Sequence, residues 1–238
     1  MEEKYTLCIN QALTWIRANY STQAVFVCGS IIRGTANAAS DFDIYVIHNG
    51  DYRQRVQKFF NGVPCEIFIN ALQHTHVSFE SELKNNRPCT AHMLATGVLY
   101  FDDKTVDTTA LVETAKKYVN LSAGLTAQQV TMAKYSIALA FEDATDVLET
   151  DEATATMLLH KTVTEVLGYV YTIYKQPLPG VKHRIANLQH IDATVAEIVT
   201  GFYAANSAQQ QHKLVGDVLS KLGIPKGFFE WESDKTDT

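Results

Sequence analysis

The sequence predicts an α/β (α+β) fold in which a small mixed β-sheet domain precedes an all-α helical bundle. Three observations carry that expectation. Residues 1–107 hold short β-branched and aromatic runs at 24–28, 42–47 and 63–69, separated by turn signals. From residue 108 onward Ala, Leu, Gln, Lys and Glu recur at helical spacing. Within that half, Thr126-x-x-Gln129 and Ser207-x-x-Gln210 have the spacing of capping boxes, in which hydroxyl and amide satisfy each other's backbone at a helix start. The expected domains are therefore 1–107 and 108–238.

Taken in order, Tyr5, Ile9, Leu13 and Ile16 share one helical face, so 3–19 reads as an amphipathic helix. Residues 24–28 read as a buried strand running into Gly29-Ser30, and 42–47 as a second strand closed by Asn49-Gly50. Asn61-Gly62 supplies the two positive φ angles of a type I′ turn, which pairs 55–60 with 63–69 as a hairpin. A helix over 74–85 and a last strand over 97–101 complete the first domain. Helices are expected over 126–149, 152–174, 181–188, 193–205 and 208–222. Pro177-Leu178-Pro179-Gly180 separates the second of these from the third, and Gly223 followed by Pro225 stops the last.

A chain of 238 residues with 46% hydrophobic and 19% charged residues can bury a core without disulfides or metal, and it is not a disordered polymer. A net charge of −6 argues against a protein that grips nucleic acid by bulk electrostatics. Cys8, Cys28, Cys65 and Cys89 are scattered with no Cys-x-x-Cys pair, so neither a zinc site nor a disulfide framework is expected. The start, Met-Glu-Glu-Lys-Tyr-Thr, lacks the basic and apolar regions of a secretory signal, and no apolar run reaches the ~20 residues of a membrane span. A cytoplasmic protein with reduced thiols and no membrane partner is the expectation.

The chemistry concentrates between residues 27 and 44. A strand ends in Gly29-Ser30, a turn-rich segment follows, and a second strand opens with Asp41-Phe42-Asp43. Residues two apart on a strand face the same way, so both carboxylates can reach one point. Paired carboxylates repel and call for a cation, and hard oxygen ligands favour Mg²⁺ shared with substrate phosphates. Gly29 lets backbone approach a phosphate, and the Ser30 hydroxyl can donate to one. Glu66 sits in Val63-Pro64-Cys65-Glu66-Ile67-Phe68-Ile69, too apolar a strand for an unpartnered charge. If its strand neighbours the other, Glu66 joins Asp41 and Asp43. Otherwise Ser40 and Asp41 merely cap a turn, Asp43 is a solvated strand residue, and Glu66 faces water from an edge.

The Gly-Ser, the spacer, the Asp-x-Asp and the later strand glutamate resemble the DNA polymerase β-like nucleotidyltransferase superfamily. The added helices are similar in layout to those of aminoglycoside and lincosamide nucleotidyltransferases. The resemblance implies that Gly29 and Ser30 hold the triphosphate, with Arg33, Gly34 and Ser40 in the same loop. It implies that Asp41 and Asp43 bind Mg²⁺, in a pair of ions, and that Glu66 ligates metal or activates the acceptor hydroxyl. It further implies Lys182 and Arg184 as contacts for the β- and γ-phosphates, and Glu142 with Asp146, one helical turn apart, as acceptor-binding acids.

The expected activity is transfer of a nucleoside monophosphate, AMP from ATP, to a small-molecule hydroxyl with release of pyrophosphate. A cationic, aminoglycoside-like antibiotic would suit the acids, and a homodimer is compatible with the layout. The alternative is a nucleotide-binding regulatory or toxin–antitoxin type module that modifies or docks on a partner protein. Extension of RNA is the least expected activity, since no basic, aromatic-interleaved stripe is present.

Overall fold

In this computed structural model, which describes residues 2–37 and 39–235, the first half of the chain builds five strands. They are β1 (Thr22–Cys28), β2 (Phe42–His48), β3 (Arg53–Phe60), β4 (Val63–Ala71) and β5 (Val98–Asp102), in the order β3-β4-β2-β1-β5. β1 runs antiparallel to β2 and β5, β3 antiparallel to β4, and β2 parallel to β4, which makes the sheet mixed. The hairpin follows from its turn. Asn61 and Gly62 adopt φ of 48° and 73°, the left-handed pair that matches strand twist, and Phe60 faces Val63 across them.

Alternation along the strands gives the sheet two buried faces. On one, α1 (Glu3–Asn19) packs Cys8, Ile9, Ala12 and Ile16 against Val25, Val27, Ile44, Val46, Ile67 and Ile69. On the other, Phe26, Cys28, Tyr45 and Ile47 meet Phe79, Ala91, Leu94, Leu111 and Ala115, carried by α2 (Leu72–Lys84), α3 (Cys89–Thr96) and α4 (Thr108–Val119). Asp43 and Glu66 belong by register to this second face. All four cysteines are free thiols; the sulfurs of Cys8 and Cys65 lie 3.4 Å apart between α1 and β4, and Cys89 alone is exposed.

The first compact unit runs to Leu121, beyond the 107/108 boundary drawn from composition. The reason is α4, which has the helical spacing of the second half but buries Leu111 and Ala115 in the sheet's own core. The Asp107 side chain accepts from Ala110 N–H at 2.9 Å and starts it. Helix α3 is a further element that the sequence pattern does not delimit. Its start is set by Glu82, whose two oxygens accept the Thr90 N–H and hydroxyl at 2.7 Å each.

The second unit, Ser122–Thr238, contains α5 (Ala127–Val147), α6 (Glu152–Ile173), α7 (Arg184–Leu188), α8 (Ala193–Ala204) and α9 (Ala208–Leu222). Phe141, Leu159, Val163, Val170, Phe202 and Leu219 are among the side chains of its core. The Thr126 capping box closes in both directions, with Gln129 N–H donating at 3.2 Å and Thr126 N–H at 2.9 Å. At Ser207 only half of the box forms, because Gln210 Oε1 accepts from Asn206 N–H instead. The helix expected over 181–188 divides into a 3₁₀ turn, Val181–His183, and α7. Gly223 ends α9 in the left-handed region, at φ 62°. Among the described residues no helix is long and apolar enough to cross a membrane.

Candidate active site

The site begins where β1 ends. Gly29 is buried with φ +94°, and a Cβ there would lie 3.0 Å from Asp43 Oδ2 and 3.3 Å from the Asp43 backbone nitrogen. Glycine is therefore required both by the backbone angle and by the space. A tight turn follows, closed by Arg33 N–H to Gly29 O at 3.3 Å and Thr35 N–H to Ser30 O at 2.9 Å. Further on, the Ser30 hydroxyl donates to Ser40 Oγ at 3.0 Å, and Asn37 N–H donates to the same oxygen at 2.9 Å. These bonds tie the Gly-Ser turn to the residue preceding Asp41.

Register brings in the third acid. Asp43 on β2 stands opposite Cys28 on β1 and opposite Glu66 on the parallel β4. Neighbouring strands lie about 4.8 Å apart, so same-face side chains at paired positions meet. One carboxylate oxygen each from Asp41, Asp43 and Glu66 lies within 4.8 Å of the others. Asp41 is exposed, and Asp43 and Glu66 are half-buried.

This crowding is electrostatically costly. Burial, then the charges of Asp41 and Glu66, push the Asp43 carboxyl up to about 6, and Arg33 and Arg55 oppose the rise only in part. Glu66 is held by Arg55 Nε at 3.4 Å and by Gln57 Nε2, also at 3.4 Å. Three hard oxygen donors whose mutual repulsion the two arginines relieve only in part fit a divalent cation. Cys28, beside them, is no nucleophile: burial pushes its thiol up to about 12, and its Sγ donates to the Met93 carbonyl at 3.2 Å.

A pH dependence follows from Asp43. Its carboxyl is raised from 3.8 to about 6 in the folded state, so between those values the folded protein binds more protons than the unfolded chain. Stability is then highest below the lower value and falls as pH rises through the upper one. In chelator, the melting temperature of the wild type relative to Asp43→Asn should drop from pH 4 to pH 7. A difference independent of pH would show that Asp43 is not raised.

The other residues singled out from sequence lie in the second unit. Lys182 is exposed in the 3₁₀ turn. Arg184 opens α7, with its Nε donating to Pro179 O at 3.2 Å and its carbonyl accepting from the Tyr171 hydroxyl at 2.7 Å. Glu142 is half-buried on α5 with its carboxylate against Gly227, and Asp146 is exposed one turn later. Sequence reasoning missed Arg55 and Gln57. A signal for them exists, since counting outward from Asn61-Gly62 places Gln57 opposite Glu66 and Arg55 opposite Phe68.

Residues 9–93 match the family model of the nucleotidyltransferase domain. Among solved structures, a nucleotidyltransferase-like protein from Exiguobacterium sibiricum 255-15 is similar with a TM-score of 0.53 and 11% identity. The match covers 90% of this chain and 73% of that one, and at such identity it is a likeness of fold. No curated protein matches the chain.

Proposed function

We propose that the chain, whose residues 9–93 match the nucleotidyltransferase domain, is an enzyme of the DNA polymerase β-like superfamily that transfers AMP from Mg²⁺-bound ATP to a hydroxyl of a small molecule. The observation that carries this reading is the convergence of Asp41, Asp43 and Glu66 beside the buried turn at Gly29-Ser30.

Each residue then has a task set by its position. Gly29, having no side chain, leaves the backbone open to a phosphate. The Ser30 hydroxyl, which donates to Ser40 here, can turn its proton to a phosphate oxygen at the cost of one exchangeable hydrogen bond. Arg33, on the same turn, offsets negative charge. Asp41, Asp43 and Glu66 would hold one or two Mg²⁺ ions, which when bound supply charge neutralisation at the phosphates and polarisation of the acceptor oxygen. The acceptor oxygen forms a bond to the α-phosphorus while the bond from that phosphorus to the bridging oxygen breaks. The electron pair leaves with pyrophosphate, and the acceptor proton passes to Glu66. Arg55 keeps Glu66 aimed through the reaction. From the second unit, Lys182 and Arg184 are the candidate contacts for the β- and γ-phosphates, and Glu142 and Asp146 for the acceptor.

The test is Mg²⁺-dependent transfer of label from α-labelled ATP, and from the other three nucleotides in parallel, to a panel of hydroxylated small molecules. Glu66→Gln should lower kcat about 10²-fold or more while nucleotide affinity stays within a few-fold. Transfer that survives chelation or the Glu66→Gln change would reject the assignment.

A further inference from the structure

A cavity of about 520 Å³ opens in the N-terminal unit on the face of the sheet that carries the carboxylates. Its position relative to them follows from strand order. The Gly29-Ser30 turn lies on the β1 flank of β2, whereas β4 and β3 lie on the other flank. Arg55 lines the cavity and also stands 3.4 Å from Glu66. Phe68, on the face of Glu66 and two residues on, lines it as well, as does Met93, whose carbonyl holds the Cys28 thiol. In an in-line displacement the entering oxygen and the leaving pyrophosphate occupy opposite poles of the phosphorus. With phosphates at the Gly29-Ser30 turn, the entering group comes from the β4–β3 flank, where this cavity is.

Its polar lining presents donors. Arg53 is tied to Asn70 Oδ1 through Nε at 3.1 Å, which leaves the fork of the guanidinium for a ligand. Arg55 lays its guanidinium over the Phe68 ring, 4.4 Å from the centroid. Glu82, the acid in the lining, has both oxygens engaged by Thr90, which takes two of its roughly four acceptor sites. An ammonium group entering here would meet two guanidiniums against one carboxylate that is already hydrogen-bonded to Thr90. A carboxylate or phosphate would meet fixed cationic donors, the bidentate chemistry that arginine serves best.

Granted the nucleotidyl transfer proposed above, we infer that this cavity receives the acceptor, and that the acceptor bears an oxyanion group recognised by Arg53 and Arg55, with a flat or apolar body against Phe68 and Met93. The volume suits a small molecule. An acceptor defined by Glu142 and Asp146 alone would be a cation, so the two sets of residues make opposite demands and one experiment separates them.

Four phenols of similar size differ in charge: 4-hydroxyphenylacetate, (4-hydroxybenzyl)phosphonate, 4-hydroxyphenylacetamide and tyramine. Their binding to the full chain is measured by titration without nucleotide. The acid or the phosphonate should bind at least tenfold more tightly than the amide, and tyramine no better than the amide; the ranking of the first two identifies the oxyanion. Arg53→Gln should bring the anions to the level of the amide, and Arg53→Lys should keep part of the preference. Tyramine binding as tightly as the acid, a preference unchanged in Arg53→Gln, or no preference in any arm would overturn the inference. Binding of a non-hydrolysable ATP analogue with Mg²⁺ is read on the same samples. Its absence would sink the transferase proposal and leave the charge preference to be judged on its own.

Discussion

Replacing Asp43 by asparagine should lower nucleotide transfer by about a thousandfold or more, and should make the metal-free protein harder to melt at pH 7. Opposite signs for activity and stability are what distinguish a functional carboxylate from a structural one. The side chain is held half-buried beside Asp41 and Glu66, and the folded state raises its carboxyl to about 6. Ionising it at neutral pH costs up to about 3 kcal/mol, less after discounting for its partial exposure to solvent. Asparagine has the same shape without the charge, so a gain of about 1 kcal/mol, or roughly 4 °C for a unit of this size, is the expected outcome. Thermal melts in chelator, with and without added Mg²⁺, check it. Mg²⁺ should raise the melting temperature of the wild type and leave that of the variant nearly unmoved. A variant that melts lower and still transfers nucleotide would contradict both halves.

Gly29→Ala should be damaging in both respects. A φ of +94° lies outside the regions open to alanine, at a cost of about 1–3 kcal/mol. The added methyl would also stand 3.0 Å from Asp43 Oδ2 and 3.3 Å from its backbone nitrogen. The carboxylate can swing away; the strand backbone cannot. Displacing one member of the acid cluster by a fraction of an ångström to an ångström lowers transfer by about 10²-fold. Gly62→Ala is the control, because Gly62 is also at φ +73° but nothing lies within 4 Å of a Cβ there. It should lose stability alone. Equal losses of kcat in the two variants would mean that backbone strain, rather than contact with Asp43, accounts for the effect.

The acid cluster is readable from sequence because most of it is local. Gly29-Ser30 and Asp41-x-Asp43 border a single strand–turn–strand passage, and two-residue periodicity alone puts the aspartates on one side. Glu66 stands out for another reason, as a charge inside an apolar run. What that reading leaves open is adjacency, since the parallel pairing of β2 with β4 is decided by the whole sheet rather than by either strand. The cavity beside the cluster is hidden for a different reason. β3 reads Arg-Gln-Arg-Val-Gln-Lys-Phe-Phe and is exposed along most of its length, so no alternation marks which residues turn toward the site. Helix α3 escapes because its first turn is held by Glu82, seven residues before its first residue and from another helix. α4 escapes as a member of the first unit because amphipathic spacing tells that a helix has a buried side, not which partner buries it.

Cys89 is the one exposed thiol of the four, and it also belongs to the lining of the cavity next to Glu66. A maleimide-linked, polarity-sensitive fluorophore would attach there without competition from the other three, in mildly alkaline buffer because burial pushes this thiol up. The native chain thus comes equipped with a position for an optical reporter, and the arrival of a candidate acceptor could be followed by colour or intensity before any product is sought.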